Sequence, residues 1–378
     1  MRKLASVRRI AAIEPIENAD QIEKAIVDGW EVVVKKSEEY KPGDQCVYIE
    51  IDSEVPKIEY FEFLEPRRYR VRTIKLRKQV SQGLIIPLND INVIREQLGI
   101  TDRSKQIMLM HLDDSTDLTD DLGITKYDTQ AKEEKCLNES KTQNPAHKYL
   151  LRYKWYRKLW KKKKAWPEKV LKTDEERIQN CSSILWRESD RAFYESEKLD
   201  GQSCTFFNLS MPWFWKISKR TFGVCSRNIW LKTPNNSNYW QIAKKYKVKE
   251  KLKKYKHELI IQGEIIGPGI QKNKYGLKGL DFYVFNVYNA STDEWYGRHG
   301  IEAVCDKLDL KMVPIVAQDK LSNLGTTVPE FVERVKGNST LAKVKREGSV
   351  FRELCSVTGK RGISFKVINP NFLLKYEC

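Results

Sequence analysis

Short strand-like runs in the first hundred residues constrain the fold of this chain more than any other feature. They lie at residues 31–34, 46–51, 69–76 and 83–87. A turn signal, Lys-Pro-Gly-Asp at residues 41–44, separates the first two runs. Short strands at this spacing favour a small closed barrel. We therefore predict an OB-like β-barrel domain over residues 1–110.

Beyond residue 110 the chain changes character twice. Residues 111–147 are polar and rich in aspartate near their start, so we interpret them as an interdomain linker. From about residue 175, strand-like and helical segments alternate to the C-terminus, as in an α+β domain. The sequence therefore predicts a third unit, an α+β domain, over residues 148–378.

The positive charge of the chain is concentrated in two tracts. There are 68 Lys and Arg residues against 51 Asp and Glu residues, a formal net charge of +17. Residues 148–172 carry eleven basic side chains and one acid, and residues 244–256 carry eight lysines and one acid. The rest of the chain is neutral as a group. This pattern excludes a uniformly basic protein and predicts surfaces on which a polyanion docks.

The first tract also contains a stripe of aromatic residues. Tyr149, Tyr153, Tyr156 and Trp160 recur at spacings of four, three and four residues, which predicts one face of a helix. Two interpretations stay open. Either the stripe packs on the domain while the lysines are solvated, or the segment contacts nucleic acid directly.

Other features limit the class of protein. No run of about 18 apolar residues appears, so no transmembrane helix is expected, and the N-terminus lacks the apolar core of a signal peptide. The eight cysteines form no CxxC pair and there are only four histidines, which argues against a zinc site and for reduced thiols. We expect a monomer in the cytoplasm or, alternatively, in the nucleus.

Six short motifs follow one another in the second half of the chain. The first contains Lys198-x-Asp200-Gly201, which is weak by itself because such a tetrapeptide is often a surface turn. No GxGxxG fingerprint or GxxxxGK[ST] loop occurs, which argues against a Walker-type kinase or helicase. The six motifs lie at residues 194–201, 226–228, 262–272, 281–287, 347–352 and 362–368.

This ordered set resembles the covalent nucleotidyltransferase superfamily of ligases and capping enzymes. The motifs at 262–272 and 281–287 resemble the RNA ligase 2 branch. The N-terminal third, ending at 81–84, resembles the OB domain that precedes the catalytic domain in Naegleria-type RNA ligases, and residues 122–127 and 172–180 are also similar to that group. The resemblance implies an α+β fold: an OB-like barrel, then an ATP-grasp-like nucleotidyltransferase domain of antiparallel sheets and helices at 148–378.

The resemblance implies an ATP-dependent RNA ligase that seals 5′-phosphate and 3′-hydroxyl ends, with ATP and Mg²⁺ or Mn²⁺ as cofactors and RNA as partner. Lys198 would attack the α-phosphate of ATP, AMP would pass to the RNA 5′-phosphate, and the 3′-hydroxyl would displace AMP. A free lysine is protonated at neutral pH, so we expect adjacent positive charge, from a metal ion or from Arg and Lys, to depress its pKa. The OB-like domain would bind RNA or orient the ATP pyrophosphate and its metal.

The resemblance also implies roles for further residues of the nucleotide site. For each residue there is a simpler alternative, an ordinary salt bridge or a place in the hydrophobic core. The same holds for Arg352, which could simply pair with a carboxylate. The implied roles are adenine recognition for Glu197, ring stacking for Phe285, ribose contact for Glu264, ribose or phosphate contact for Arg227, metal binding for Glu347, directly or through water, and α-phosphate contact for Lys366.

Two positions depart from the superfamily pattern. Ser364 stands where a lysine is common, so one phosphate contact is missing or is replaced from elsewhere. Asn286 stands where many relatives have an aspartate, so any role of that acid is lost.

Three alternatives stay open at this point. One is an mRNA-capping guanylyltransferase, although its OB domain usually follows the catalytic core and only about ten residues follow Lys366 here. Another is an inactive RNA-binding protein that keeps a ligase core. The third concerns residues 244–256, which are either a solvated helix face or an RNA-backbone track beside the active site.

Overall fold

The structure is a computed structural model. Lys161 to Lys164, Trp160 and most of the predicted linker lie outside the described residues. Within the described part of the chain, no helix has both the length and the apolar character to cross a membrane. The described residues are 3–100, 112–127, 149–150, 152–156, 166–167, 169–172, 174–214, 217–232, 234–354 and 361–376.

The N-terminal domain is built from short antiparallel strands, as predicted. Strands β1, β5 and β9 form one sheet, β2, β3 and β4 form another, and β7 pairs with β8. Two 3₁₀ helices, Lys36–Glu38 and Glu59–Arg67, and helix α1, Asp90–Gln97, lie between strands. The strands are β1 Ala5–Arg9, β2 Ala12–Pro15, β3 Ile22–Val27, β4 Trp30–Lys35, β5 Gln45–Ile49, β6 Ser53–Glu54, β7 Thr73–Leu76, β8 Gln79–Gln82 and β9 Leu84–Ile86.

Alternation of apolar side chains places the core of this domain. In β4, Trp30, Val32 and Val34 are buried while the residues between them are partly exposed, which is the period of a half-buried strand. The ring of Trp30 stacks on that of Tyr48, with 5.9 Å between centroids. The predicted OB-like barrel is therefore confirmed.

Part of the segment predicted as a polar linker packs on the OB domain. Strand β10, Thr125–Lys126, pairs with β6, and Leu118, Leu122 and Ile124 are buried in the same core as strand β1. The amide of Val7 donates to the carbonyl of Thr116 at 3.0 Å. The many aspartates of this segment face outward around three buried aliphatic side chains, and for residues 112–127 the linker interpretation is wrong.

The C-terminal domain contains two antiparallel sheets. One has the strand order β18-β11-β19-β20, and the other has the order β13-β12-β14-β15-β16, with β17 parallel to β15. The strands are β11 Ala192–Lys198, β12 Gln202–Phe214, β13 Ile217–Cys225, β14 Leu259–Ile266, β15 Asp281–Asn289, β16 Glu294–Trp295, β17 Lys311–Met312, β18 Ile315–Lys320, β19 Gly348–Glu353 and β20 Ser364–Ile368.

Short helices cover these sheets. Two further 3₁₀ helices span Ile178–Asn180 and Gln271–Asn273. The combination of helices with mainly antiparallel sheets is the predicted α+β architecture. The α-helices are α2 Ile184–Arg187, α3 Asn238–Lys245, α4 Val248–Lys254, α5 Arg298–Leu308, α6 Leu321–Leu324, α7 Val328–Arg334 and α8 Pro370–Tyr376.

Helices α3, α4 and α5 cover one face of the six-stranded sheet. Their apolar side chains share a core with Ile261 and Ile265 of β14. Because successive side chains of a strand point to opposite faces, Glu264 points to the other face, towards the cavity described below. The lysines of residues 244–256 therefore lie behind the sheet, and the interpretation of this tract as a track beside the active site is wrong.

Two connections hold the domains together. A segment at 174–180 crosses from one to the other: Arg177 Nη2 lies 2.8 Å from Asp52 Oδ2, and Asn180 Nδ2 donates to Glu50 Oε1 at 2.5 Å. At the other end of the chain, helix α8 places apolar side chains, including Phe372, in the core around Trp30. The C-terminal domain is thus fixed to the N-terminal domain before its first strand and after its last.

Two of the three described tyrosines of the aromatic stripe are exposed, and Tyr156 is partly buried. Tyr149 and Tyr153 are 56% and 44% exposed, and their rings contact each other edge to face with 6.0 Å between centroids. Neither ring belongs to a core of the described residues, so for these two tyrosines the packed interpretation is wrong.

Candidate active site

A cavity of about 860 Å³ opens between the two sheets and the OB domain. The OB domain contributes Arg70 and Lys126, and the connecting segment contributes Asp174. All seven predicted site residues line the same cavity. They are Glu197, Lys198, Arg227, Glu264, Phe285, Glu347 and Lys366.

Strand pairing brings the first and fifth motifs together. Lys198 is the last residue of β11 and pairs with Gly348, the first residue of β19, so Glu347 comes to lie beside it. Gly201 closes the turn after Lys198 where strand β14 passes close by. A Cβ at Gly201 would lie 2.3 Å from the carbonyl oxygen of Ile265, which explains why this motif requires glycine.

The Lys198 amine is paired with a carboxylate. Its Nζ contacts Glu347 Oε1. Burial lowers the pKa of the Lys198 ammonium, but the charge and hydrogen bond of Glu347 outweigh burial, so this pKa lies above its ordinary value. The groups that raise it are carboxylates, and the predicted depression by Arg or Lys neighbours is not what this arrangement produces.

Glu197 is held by one oxygen and free at the other. Its Oε2 accepts hydrogen bonds from the Thr340 amide at 2.8 Å and from the Thr340 hydroxyl at 2.6 Å. Its Oε1 is buried and has no hydrogen-bond partner among the described residues. A buried acceptor without a donor is costly, and an exocyclic amino group of a bound base would satisfy it.

Glu347 is similarly half satisfied, which fits a cation site. Its Oε1 contacts Lys198, while its Oε2 is buried and lacks a hydrogen-bond partner in the described chain. Carboxylate oxygen is the ligand that Mg²⁺ and Mn²⁺ prefer. In the described residues no three His, Cys, Asp or Glu side chains are placed to hold a metal. A cation at Glu347 would therefore complete its shell with water and phosphate oxygens.

Glu264 and Phe285 stand on neighbouring strands on the cavity side of the six-stranded sheet. Burial, together with the carboxylates of Glu347 and Asp200, outweighs the opposing effect of Lys198 and raises the pKa of Glu264 to about 8. The Glu264 carboxyl group is therefore placed to hydrogen-bond with a hydroxyl of a bound ligand.

Three cations of the cavity converge on Asp174. Its carboxylate lies 2.9 Å from Lys126 Nζ, 3.2 Å from Arg227 Nη2 and 3.0 Å from Lys366 Nζ. Phosphate contacts were predicted for Lys366 and Arg227, whereas no role was predicted for Asp174 or Lys126. The signal that could have found them is the presence of both in stretches similar to the Naegleria-type group.

Comparison with known proteins agrees with this geometry. A family model described as RNA ligase matches residues 191–368, and an OB-fold domain model matches residues 4–88. The structure of Naegleria gruberi RNA ligase with PPi is 30% identical to the chain, with a TM-score of 0.76, and the match covers 100% of this chain and 99% of that one.

The chain belongs to the RNA ligase family. A second structure of the Naegleria gruberi enzyme, a variant with ATP and Mn, is similar to the same degree, with 30% identity, a TM-score of 0.76 and 100% of both chains covered. No curated protein matches the chain. The predicted family is therefore confirmed.

The two departures of this RNA ligase have visible consequences. Ser364, in place of a lysine, contacts Glu175 through its hydroxyl. Glu175 also lies 3.3 Å from Arg352 and 2.8 Å from Arg361. Burial raises the pKa of Glu175, but the two guanidinium groups outweigh it and hold that pKa below its ordinary value. Arg352 thus pairs with a carboxylate, as the simpler interpretation had it, while it also lines the cavity.

The second departure, Asn286, makes a contact within the six-stranded sheet of the RNA ligase. Its Nδ2 lies 3.4 Å from Gln262 Oε1, across the pair of strands β14 and β15, and both side chains are buried. Asn286 is not among the residues that line the main cavity. This position therefore serves the sheet rather than the nucleotide site.

Proposed function

We propose that this ATP-dependent RNA ligase seals 5′-phosphate and 3′-hydroxyl RNA ends through a covalent Lys198–AMP intermediate. The observation that carries the proposal is the position of the Lys198 amine, at the end of β11 and in contact with Glu347, within a cavity that all the predicted nucleotide-site residues line. The RNA substrate follows from membership of the family.

The first step transfers AMP to the enzyme. The Lys198 ammonium first loses a proton to water. Its neutral amine then attacks the α-phosphorus of ATP, a P–N bond forms, the bond from the α-phosphorus to the bridging oxygen breaks, pyrophosphate leaves, and the nitrogen gives a second proton to water. Lys366 and Arg227 neutralise phosphate charge. Glu264 contacts a ribose hydroxyl, and Phe285 stacks on the adenine.

The later steps join the RNA ends. An oxygen of the RNA 5′-phosphate attacks the AMP phosphorus and breaks the P–N bond, which frees Lys198 and leaves an adenylylated 5′ end. The RNA 3′-hydroxyl then attacks the 5′-phosphate phosphorus, and AMP leaves with the bridging oxygen. Both steps depend mainly on positioning and on charge neutralisation.

The free oxygen of Glu347 is where Mg²⁺ or Mn²⁺ would be held, directly or through water. A bound cation supplies positive charge next to the amine and to the phosphate oxygens. Residues of this chain position the amine and the base. Glu347 holds the Lys198 ammonium in place, and Glu197 leaves one carboxylate oxygen for the adenine amino group.

Transfer of label from α-³²P-ATP to the protein tests the proposal. We expect Lys198→Ala to abolish labelling, while Lys320→Ala, which removes an exposed lysine away from the cavity, keeps it. Circular dichroism of both variants checks that they fold. Labelling of folded Lys198→Ala at the wild-type level would contradict the proposal, as would labelling of the wild type by GTP in preference to ATP.

A further inference from the structure

The lysine-rich surface behind the six-stranded sheet is not used by the chemistry described above. Helices α3 and α4 and the turns around them carry it, and none of its lysines lines the ATP cavity. Lys245 is 3.8 Å from Asp281, and Lys251 is 3.3 Å from Asp309. Six more are exposed and form no ion pair with any described residue. They are Lys244, Lys247, Lys249, Lys253, Lys254 and Lys256.

These lysines are held on a rigid base. Trp240, Val248 and Leu252 are buried in the core beneath the helices. Lys247, between the two helices, has a left-handed backbone with φ of 50°, a conformation that is uncommon for a residue other than glycine. The backbone that carries these lysines is therefore packed on the core of the domain.

The fold adds two more cations from distant parts of the chain. Arg220 of β13 donates to the carbonyl groups of Tyr255 and Lys256, each at 3.2 Å. Lys307 of α5 lies over the Tyr255 ring, with its Nζ 4.6 Å from the centroid. Helix α4, strand β13 and helix α5 thus each bring positive charge to the turn after α4. The run of lysines in the sequence does not by itself explain the presence of Arg220 and Lys307 there.

The apolar side chains of these helices face inward, which distinguishes a nucleic-acid surface from a membrane surface. A helix that lies on a membrane needs large apolar side chains on its exposed side. The large exposed hydrophobic residues of the described chain lie elsewhere, and none is on α3 or α4. The surface therefore offers charge alone, as a phosphate backbone requires.

We propose that residues 244–256, with Arg220 and Lys307, bind the phosphate backbone of the RNA substrate at a distance from the ends being joined. This inference rests on the proposed RNA-ligating function. A sheet and a packed helix layer, each about 10 Å thick, separate this surface from the cavity. Only an RNA arm long enough to pass the edge of the sheet reaches both.

Binding of nicked RNA duplexes at several salt concentrations tests the proposal. The duplexes have arms of about one or about three helical turns on each side of the nick. The test variant is Lys249→Gln/Lys253→Gln/Lys256→Gln. The control is Lys35→Gln/Lys41→Gln/Lys320→Gln, which removes the same charge at three exposed positions elsewhere. Self-adenylylation is measured for each protein.

For the long-armed duplex we expect the test variant to bind roughly ten-fold more weakly at low salt, with a plot of log affinity against log salt that is flatter by about 2 to 3. Binding of the short-armed duplex and self-adenylylation should be unchanged, and the control should resemble the wild type.

An unchanged slope for the long duplex, or an equal loss in the control, would overturn the proposal. So would an unchanged slope together with binding of the wild type to phosphatidylserine vesicles, which would assign the surface to a membrane. Absence of self-adenylylation in the wild type would instead refute the proposed function.

Discussion

The Nζ of Lys366 lies 3.0 Å from Oδ1 of Asp174, although the two residues are 192 positions apart. Lys126 of the OB domain and Arg227 of the catalytic domain reach the other carboxylate oxygen. Burial raises the pKa of Asp174, but the three cations outweigh it and hold that pKa well below its ordinary range. A side-chain anion thus occupies the point where the cations of the ATP cavity meet.

We expect Asp174→Asn to lower the KM for ATP in self-adenylylation by about ten-fold, because the triphosphate no longer competes with a carboxylate for the three cations. The measurement is the initial rate of labelling against ATP concentration. Asp120→Asn, which removes an exposed aspartate of the OB domain, is the control. A higher KM in Asp174→Asn would show that the carboxylate positions these cations instead of competing for them.

The oxygen of Glu197 without a hydrogen-bond partner in the described part of the chain leads us to expect that this residue selects ATP over GTP. In Glu197→Gln the amide can donate to the carbonyl of guanine as well as accept from adenine, so the preference for ATP over GTP should fall by about 10- to 100-fold. Competition between the two labelled nucleotides measures it. Thr340→Val should lower the preference in the same direction, since it frees the Glu197 side chain, whereas Thr340→Ser keeps the hydroxyl and should not. Unchanged selectivity in Glu197→Gln would exclude this residue from base recognition.

Glu195 predicts a large effect on stability. It is completely buried, accepts a hydrogen bond from Ser349 at 2.7 Å, and lies 2.8 Å from Arg334 and 3.5 Å from Arg346. Glu195→Ala leaves two guanidinium groups without their carboxylate and should reduce the free energy of unfolding by about 3 kcal/mol in urea titrations.

The matched control for Glu195 is the exposed ion pair between Glu333 and Lys336. Glu333→Ala should reduce the free energy of unfolding by less than about 1 kcal/mol, because solvent screens a surface pair. Equal losses in the two variants would contradict the assignment of a buried network around β11.

The cysteines predict a pH dependence. Burial raises the pKa of Cys46, Cys181 and Cys305 to about 12 each. At pH 8 their thiolate fraction is therefore about a thousand-fold lower than in the unfolded chain, and iodoacetamide should label them correspondingly more slowly. Because the folded-state pKa is the higher one, these thiols should destabilise the native state as pH rises above about 9. Peptide mass spectrometry with and without urea measures the labelling, and equal rates at Cys181 would contradict it.

Local pattern and ordered motifs were sufficient to predict the OB-like barrel, the α+β domain and seven of the residues that line the cavity. They were not sufficient for Asp174, because its partners lie 48, 53 and 192 residues away and no period links them. The sequence also could not show that Glu197 and Glu347 each keep one oxygen without a hydrogen-bond partner among the described residues. That depends on which oxygen of each carboxylate contacts Thr340 or Lys198 in the folded chain.

One of the two interpretations of the second lysine tract, a track beside the active site, fails for a related reason. Its place in the chain, between two motifs of the nucleotide site, suggested proximity to Lys198. Strands β12 and β14 carry site residues on one face and core residues on the other, so neighbours in sequence end on opposite sides of the sheet. Which face a helix covers is decided by tertiary packing.

The packing of helix α8 against Trp30 has a consequence for how the protein is made. The N-terminal barrel leaves the ribosome first, yet part of its apolar core is closed by Phe372 and Leu373, more than three hundred residues later. A nascent barrel is therefore incomplete for most of translation, with apolar surface around Trp30 exposed to chaperones. This part of the N-terminal core can close only after helix α8 has emerged.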